Sequence, residues 1–145
     1  EMRLTDAVGC WPPLELPPPP PAAFMVDSIT EIRISSCAAL RSIPPEVGGC
    51  HGMKALVLIS NSLESIPKEV GLLHQLDQLF LNGNFLRGLP KEVGELPVLE
   101  ELCLDSNLIT ALPPFTSPKL TLVTVPANKL EVLPPLAGRM ERLEA

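Results

Sequence analysis

The clearest pattern of apolar positions lies in LDQLFLNGNFLRGLPKEVGELPV, which runs from Leu76 to Val98. Its apolar residues fall at offsets that neither one helix nor one strand can place on a single face. Two leucines alternate as in a short strand, an Asn follows, and a Leu-Pro pair turns the chain before a PKEVG segment typical of one helical turn. The apolar positions are Leu76, Leu79, Leu81, Leu86, Leu89, Val93 and Leu96.

The same pattern occurs five times between positions 29 and 143, which is a strong signal of an internal repeat. The Asn position is filled at nearly even intervals, in order, by Cys37, Asn61, Asn84, Asn107 and Asn128. These residues define coils one to five. We divide the chain into a Pro-rich N-terminal extension or degenerate coil, residues 1–28, and a repeat domain, residues 29–145, with five coils and the start of a sixth.

The end of the sequence predicts that the repeat continues. Leu143 follows Leu133 at the same interval at which Leu99 follows Leu89, which predicts that Leu143 begins another L-x-x-L. A repeat solenoid needs a polar cap over its last apolar layer. The sequence contains no such cap, so we expect this chain to be a piece of a longer protein.

The pattern L-x-x-L-x-L-x-x-N-x-L-x-x-L-P-x-x-V-G resembles the leucine-rich repeat, and its 23-residue unit is similar to intracellular leucine-rich repeat proteins of the Ras group and their plant relatives. The resemblance implies an α/β fold, a horseshoe-shaped solenoid with a parallel concave sheet and short helical or extended convex segments. It also implies a binding module whose partner is a protein, such as a small GTPase or another signalling protein.

Each coil is expected to rely on its Asn. An Asn side chain both donates and accepts hydrogen bonds, so it can satisfy backbone groups where the chain leaves the strand. A buried structural ladder is therefore predicted at Asn61, Asn84, Asn107 and Asn128. Cys37 cannot bond in the same way, so that end of the ladder should be weaker. On the convex side, PKEV predicts helical turns in coils two and three, whereas PPFTSPK predicts an extended segment in coil four.

Composition and charge narrow the function classes. The net charge of -6 would repel a nucleic-acid backbone, so no nucleic-acid partner is predicted. No apolar run approaches the roughly 18 residues of a membrane span, and the start of the chain lacks the features of a signal peptide. The cysteines form neither a capping cluster nor a zinc-ligand spacing, which favours reduced thiols and a cytoplasmic location. They are Cys10, Cys37, Cys50 and Cys103.

Catalytic chemistry is not indicated, and we predict no enzyme, no metal site and no cofactor. His51 and His74 fall on loops away from the concave sheet, and Cys103 has no His close in register to activate it. Four carboxylates are expected to cluster on the concave face, where they could ligate a cation. A solvated acidic patch or part of a protein interface is the favoured interpretation. They are Asp77, Glu100, Glu101 and Asp105.

The outward positions of the strands predict a binding surface. Val57, Ile59 and Phe80 should form an apolar patch with a charged border, an arrangement typical of protein interfaces. The predicted partner-binding residues are Val57, Ile59, Asp77, Phe80, Asn82, Phe85, Glu101, Cys103, Asp105 and Leu108. We therefore predict a non-catalytic protein–protein interaction scaffold that binds on its concave face.

Two alternatives stay open. The coil LITALPPFTSPKLTLVTVPANKLEVLP resembles one in proteins that join such repeats to a protein kinase domain. That resemblance implies a regulatory segment of a larger signalling enzyme. The prolines at 17–21 predict a polyproline II segment, either a spacer or a convex loop of a degenerate coil. The segment at 15–20, ELPPPP, also resembles a ligand of EVH1 domains.

Overall fold

A computed structural model describes residues 2–4, 29–132 and 142–144. Seven short strands in these ranges form one parallel sheet, whose strand order follows the chain order without a crossover. Each coil thus adds one strand beside the strand of the coil before it. The strands are β1 Met2–Leu4, β2 Ile29–Arg33, β3 Ala55–Val57, β4 Gln78–Phe80, β5 Glu101–Cys103, β6 Leu122–Thr124 and β7 Arg142–Glu144.

The core consists of the repeated leucines, because alternate residues of each strand point to the same side. Leu56, Leu79 and Leu102 lie opposite one another in register and are fully buried. Burying one such side chain stabilises the fold by about 1.5–3 kcal/mol. The predicted fold, an α/β leucine-rich repeat solenoid with a parallel sheet, is confirmed.

The convex side carries one short segment per coil. Coils one and two form 3-10 helices, Pro45–Gly49 and Lys68–Leu72, and coil three forms a helical turn, α1, at Lys91–Gly94. In coils two and three an extended Pro precedes the helix and a Glu occupies its first turn. Coil four has no helix here, as predicted, and Phe115 fills the core in its place.

The glycine of the P-x-x-V-G motif is required where neighbouring convex segments meet. A Cβ at Gly71 would lie 2.4 Å from the Cβ of Glu92 in the next coil. A Cβ at Gly94 would lie 2.3 Å from the carbonyl oxygen of Pro114. Real Cβ atoms do not approach so closely, so these coils stack only because the side chain is missing.

The register at the C-terminal end differs from the sequence prediction. Leu143 pairs with Val123, whose own partner is Leu102, so Leu143 occupies the central strand position. The prediction that it takes the position of Leu99 was wrong. Leu143 follows Val123 at a shorter interval than Leu102 follows Leu79, so the offset read from the longer coils does not apply.

Most of the Pro-rich segment lies outside the described residues, and so does Cys10. The described part is β1, which pairs in parallel with β2. The division of the chain at residue 29 and the two interpretations of the prolines stay predictions.

Candidate protein-binding face

The asparagine ladder fixes the edge of the candidate face. The Asn84 side chain donates to the carbonyl oxygens of Leu58, at 2.7 Å, and Leu81, at 2.9 Å, and accepts from the backbone N–H of Leu63 at 3.1 Å. Asn107 and Asn128 repeat this arrangement one and two coils later. Each Asn therefore joins its own coil to the preceding one.

The two ends of the ladder differ from its middle. Asn61 accepts from the Cys37 N–H at 2.9 Å and donates to Ile34. The Cys37 side chain has no amide, so it cannot make the hydrogen bonds that an Asn makes at this position. This agrees with the expectation that the ladder is weaker at its N-terminal end. At the other end Asn128 is half-buried, unlike Asn61, Asn84 and Asn107, which are buried.

The residue before each Asn position has a left-handed backbone, which the sequence analysis missed. Gly83 has a φ of 66°, and four non-glycine residues have φ values of 55–57°. They are Ser36, Ser60, Ser106 and Ala127. The sequence signal is the small side chain at every one of these positions. This conformation is unfavourable for residues with a Cβ, so it is held by the hydrogen bonds of the ladder.

Three rows of side chains cross the concave face, each with one residue from each of coils one to five. We number them along the strand direction. The first row contains Glu31, Ala55, Gln78, Glu101 and Leu122. The second contains Arg33, Val57, Phe80, Cys103 and Thr124. The third, just beyond the strands, contains Ser35, Ile59, Asn82, Asp105 and Pro126.

The apolar patch is smaller than predicted, because Val57 is only 2% exposed. It lies between Arg33 and Phe80 in register. Strands are about 4.8 Å apart, so two longer side chains can cover a Val between them. Phe80 and Ile59 are half-buried. A partner could therefore touch Phe80 and Ile59 but not Val57.

A second apolar pair lies along one rim of the face. Phe85 is 52% exposed and Leu108 is half-buried. Each directly follows a ladder Asn, and its N–H donates to the preceding coil, to Leu63 and Leu86 respectively. The two residues therefore occupy equivalent places in adjacent coils, and their backbones are fixed.

Asp105 is the centre of a hydrogen-bond network, rather than a separate charge on the rim as the sequence suggested. Its carboxylate accepts from the amide of Asn82 at 3.0 Å and from the hydroxyl of Thr124. The three residues belong to successive coils three, four and five. The sequence did not show this network because their contact depends on side-chain orientation across coils.

The four carboxylates expected to cluster lie in different rows. Asp77 and Glu100 are equivalent residues just before the first row, and the Glu100 N–H donates to the Asp77 carbonyl oxygen. Asp105 lies well beyond Glu101, about 13 Å along an extended strand. The predicted single cluster is therefore wrong. Within the described ranges, no three His, Cys, Asp or Glu side chains could hold a metal ion.

The pKa of Asp77 is raised by its surroundings. Burial raises its pKa, and the neighbouring carboxylate of Glu100 raises it further, whereas Lys54 on the other side lowers it. The row Lys54, Asp77, Glu100 thus contains one positive and two negative groups. The pair of carboxylates makes this rim favourable for a basic partner.

The histidines and the three described cysteines differ in their exposure. His51 and His74 are both exposed on the loops that precede strands β3 and β4. Cys37 and Cys50 are buried thiols, and burial raises the pKa of Cys50. A raised pKa keeps a thiol neutral and unreactive. Cys103 is a half-buried thiol in the second row.

Two further residues were missed by the sequence analysis. Leu72 is 51% exposed at the end of the coil-two 3-10 helix, on the convex side. Phe115 is fully buried, beside the hydrogen bond from Thr116 N–H to the Gly94 carbonyl oxygen at 2.9 Å.

No helix in the described part of the chain is long and apolar enough to cross a membrane.

Comparison with solved structures agrees with this architecture. The chain is similar to InlP from Listeria monocytogenes, with 27% sequence identity and a TM-score of 0.64, over 73% of this chain and 30% of InlP. It is similar to the leucine-rich repeat ectodomain of the receptor kinase SOBIR1 from Arabidopsis thaliana, with 23% identity and a TM-score of 0.55, over 72% and 56% of the two chains. The leucine-rich repeat domain of the type III effector XopL has 21% identity and a TM-score of 0.59, over 86% and 53%.

These likenesses define the class. The solved neighbours are leucine-rich repeat proteins, and this chain has the leucine-rich repeat fold. It spans about a third of InlP and about half of the other two chains. No protein-family model matches the chain, and no curated protein matches it either. Leucine-rich repeat folds generally mediate protein–protein interactions and are typically not catalytic.

Proposed function

We propose that this chain is a non-catalytic scaffold that binds a protein partner on its concave face. The observation that carries the proposal is the side-chain variation across that face. The second row changes from Arg33 to a Val, a Phe, a Cys and a Thr, while the buried positions beneath it repeat in every coil. Side chains that differ from coil to coil on a rigid sheet can recognise one particular partner.

The partner should carry an apolar anchor and basic side chains. Ile59 and Phe80 supply accessible apolar surface in adjacent coils, with Phe85 at the rim. Glu101 and the Asp77–Glu100 pair lie at the end of the strands opposite Asp105. The chain is negatively charged overall, so opposite charges on the partner would speed its approach.

We further infer that the chain works in the cytoplasm and is of the Ras-group type. Three thiols at Cys37, Cys50 and Cys103 support a reducing compartment. The P-x-x-V-G motif supports the subtype, because its Gly71 and Gly94 let successive convex turns stack. A small GTPase or another signalling protein is the partner class that this subtype implies.

The test uses the protein recovered with the wild-type chain from a cell extract. That protein is titrated against wild type, Phe80→Ala and Leu72→Ala. Phe80→Ala should weaken binding by at least about 1–2 kcal/mol, because buried aromatic anchors dominate interface energies. Leu72→Ala removes an exposed apolar side chain from the convex side and should leave binding unchanged. Equal binding by wild type and Phe80→Ala would exclude the concave face as the site.

A charge reversal tests the basic partner. Glu101→Lys should slow association and reduce its dependence on salt, because long-range attraction acts mainly on the association rate. Glu101 is better suited than Asp105, whose carboxylate is held by Asn82 and Thr124. An unchanged association rate would contradict a basic partner at this rim.

A further inference from the structure

The Asn82–Gly83 pair is chemically reactive, because the backbone nitrogen of Gly83 can attack the side chain of Asn82. Of the five asparagines in the chain, Asn82 alone is followed by Gly. The backbone nitrogen of a following Gly can attack the side-chain amide of Asn easily, because Gly has no Cβ to obstruct the approach. Asn82 lies in the third row of the concave face, and Gly83 is the left-handed residue that follows it.

In the folded chain this peptide is held by hydrogen bonds on every side. The Gly83 N–H donates to the Asp105 carbonyl oxygen at 2.8 Å, and the Asn82 amide donates to the Asp105 carboxylate at 3.0 Å. The carbonyl oxygen of Asn82 accepts from Ser60 N–H at 2.8 Å and from the Asn84 amide at 3.3 Å. Neither the attacking nitrogen nor the amide that must leave is free to move toward the other.

The side-chain carbon of Asn82, which is the electrophile in this attack, also lies in an unfavourable environment. Attack on the Asn82 side-chain carbon builds negative charge on Oδ1, and such charge needs a hydrogen-bond donor. Asn82 Oδ1 is buried and has no hydrogen-bond partner. Its neighbour in the preceding coil is Ile59, which has no side-chain donor.

We propose that Asn82–Gly83 is a latent deamidation site, closed in the folded chain by Asp105 and opened when coils three and four separate. The Gly83 nitrogen then forms a bond to the Asn82 side-chain carbon, and the bond to Nδ2 breaks and releases ammonia. Water opens the resulting five-membered imide at either carbonyl, which gives aspartate or isoaspartate at position 82. No oxidant, reductant or enzyme is needed.

The reaction would prevent the site from closing again. A carboxylate at position 82 cannot donate to Asp105, so two negative groups would face each other where one hydrogen bond existed. Isoaspartate also lengthens the backbone by one carbon, which shifts Gly83 N–H away from the Asp105 carbonyl oxygen. A transient opening would thus become a permanent change on the concave face.

The experiment compares the purified chain in buffer with the same chain in urea, both at mildly alkaline pH. Peptide mass spectrometry and isoaspartate-specific methylation follow residue 82. Conversion should be at least about tenfold slower in the folded chain, the ratio that an opening free energy of about 1.4 kcal/mol produces. Asn84, which precedes Phe85, is the internal control and should stay intact in both samples. Equal rates with and without urea, or no conversion in urea, would overturn the proposal.

A variant tests the role of Asp105. Asp105→Ala removes the acceptor of the Asn82 amide and should speed conversion in buffer, with folding checked by circular dichroism. If that variant does not fold, Thr124→Val removes the other hydrogen bond to the same carboxylate and should act in the same direction. A folded variant that converts no faster than wild type would show that Asp105 is not the closing group.

Discussion

The buried side of the sheet and the concave face use the repeat in different ways. On the buried side, Leu56, Leu79 and Leu102 occupy the same place in successive coils, and each ladder Asn bonds to the coil before it in the same manner. On the concave face, neighbouring coils present different groups in each row. Arg33 and Phe80, for example, lie on either side of Val57.

Under the proposed function, this difference separates the residues that stabilise the fold from those that would contact a partner. The buried positions contribute similar packing in successive coils, and Asn84, Asn107 and Asn128 make equivalent hydrogen bonds, so these positions cannot distinguish one partner from another. The concave positions contribute less to packing and so are free to vary. Substitutions on the two sides should therefore have different effects, and paired variants at adjacent or equivalent positions can measure this.

The largest effect is expected for adjacent residues of β4. Leu79→Ala should lower the free energy of unfolding by about 2–5 kcal/mol, because it leaves a cavity in a fully buried layer. Phe80→Ala, on the opposite face, should lower it by about 1 kcal/mol or less. Urea denaturation of both variants measures the difference. Equal losses would mean that the concave face is as much a part of the core as the leucine layer.

The next contrast is between two asparagines of coil three. Asn84→Ala should cost about 2–4 kcal/mol, because it leaves the Leu58 carbonyl oxygen and the Leu63 N–H without the side chain that bonds them. Asn82→Ala removes one side-chain hydrogen bond on the concave face and should cost about 1 kcal/mol. Thermal unfolding ranks the two, and a milder Asn84→Ala would contradict a structural ladder.

Two glycines with different surroundings, in coils two and three, give a third contrast. Gly71→Ala should destabilise by about 1–3 kcal/mol, because its Cβ would overlap Glu92 of the next coil. At Gly88 the nearest atom to an added Cβ is the Ala111 carbonyl oxygen at 3.9 Å, so Gly88→Ala should change stability by less than about 0.5 kcal/mol. If the two glycines tolerate Ala equally well in urea denaturation, close stacking does not depend on Gly71.

The smallest effect concerns pH. The raised pKa of Asp77 means that the folded chain holds this proton to higher pH than the unfolded chain, so stability falls as pH rises through that window. The Asp77→Asn variant should therefore have a slightly higher melting temperature than wild type at neutral pH. This difference should disappear near pH 3, where Asp77 of the wild type is protonated and neutral like the Asn. Lys54→Gln is the control and should melt lower at neutral pH, because Lys54 favours the ionised form. A gain for Asp77→Asn that is the same at both pH values would rule out ionisation as its cause.

The sequence was sufficient to predict the buried side. The positions of Leu79 and Leu81, the ladder position of Asn84 and the helical turn at PKEV all follow from a local pattern that every coil repeats. A local pattern indicates whether a side chain is buried or exposed, and strand pairing then places equivalent residues of successive coils beside one another. For this reason the fold could be predicted in detail.

The concave face could be predicted only in part. The sequence placed Val57 and Asp105 in their rows, but not the covering of Val57 or the hydrogen bonds that Asp105 accepts from Asn82 and Thr124. Those properties depend on the lengths and orientations of side chains from neighbouring coils, which are a full repeat away in the chain. The positive φ of Ser60 and its equivalents was missed because many small residues occur elsewhere without it.

The strand register shows where the chain can gain or lose length. The segment from the central strand residue to the Asn position has the same length in every coil, as from Leu79 to Asn84. From β2 onward, the interval from one strand to the next is longest after Ile32 and shortest after Val123. All of the variation therefore lies in the convex return. Insertions there, such as a fluorescent label or an added domain, should leave the sheet and its concave rows in place.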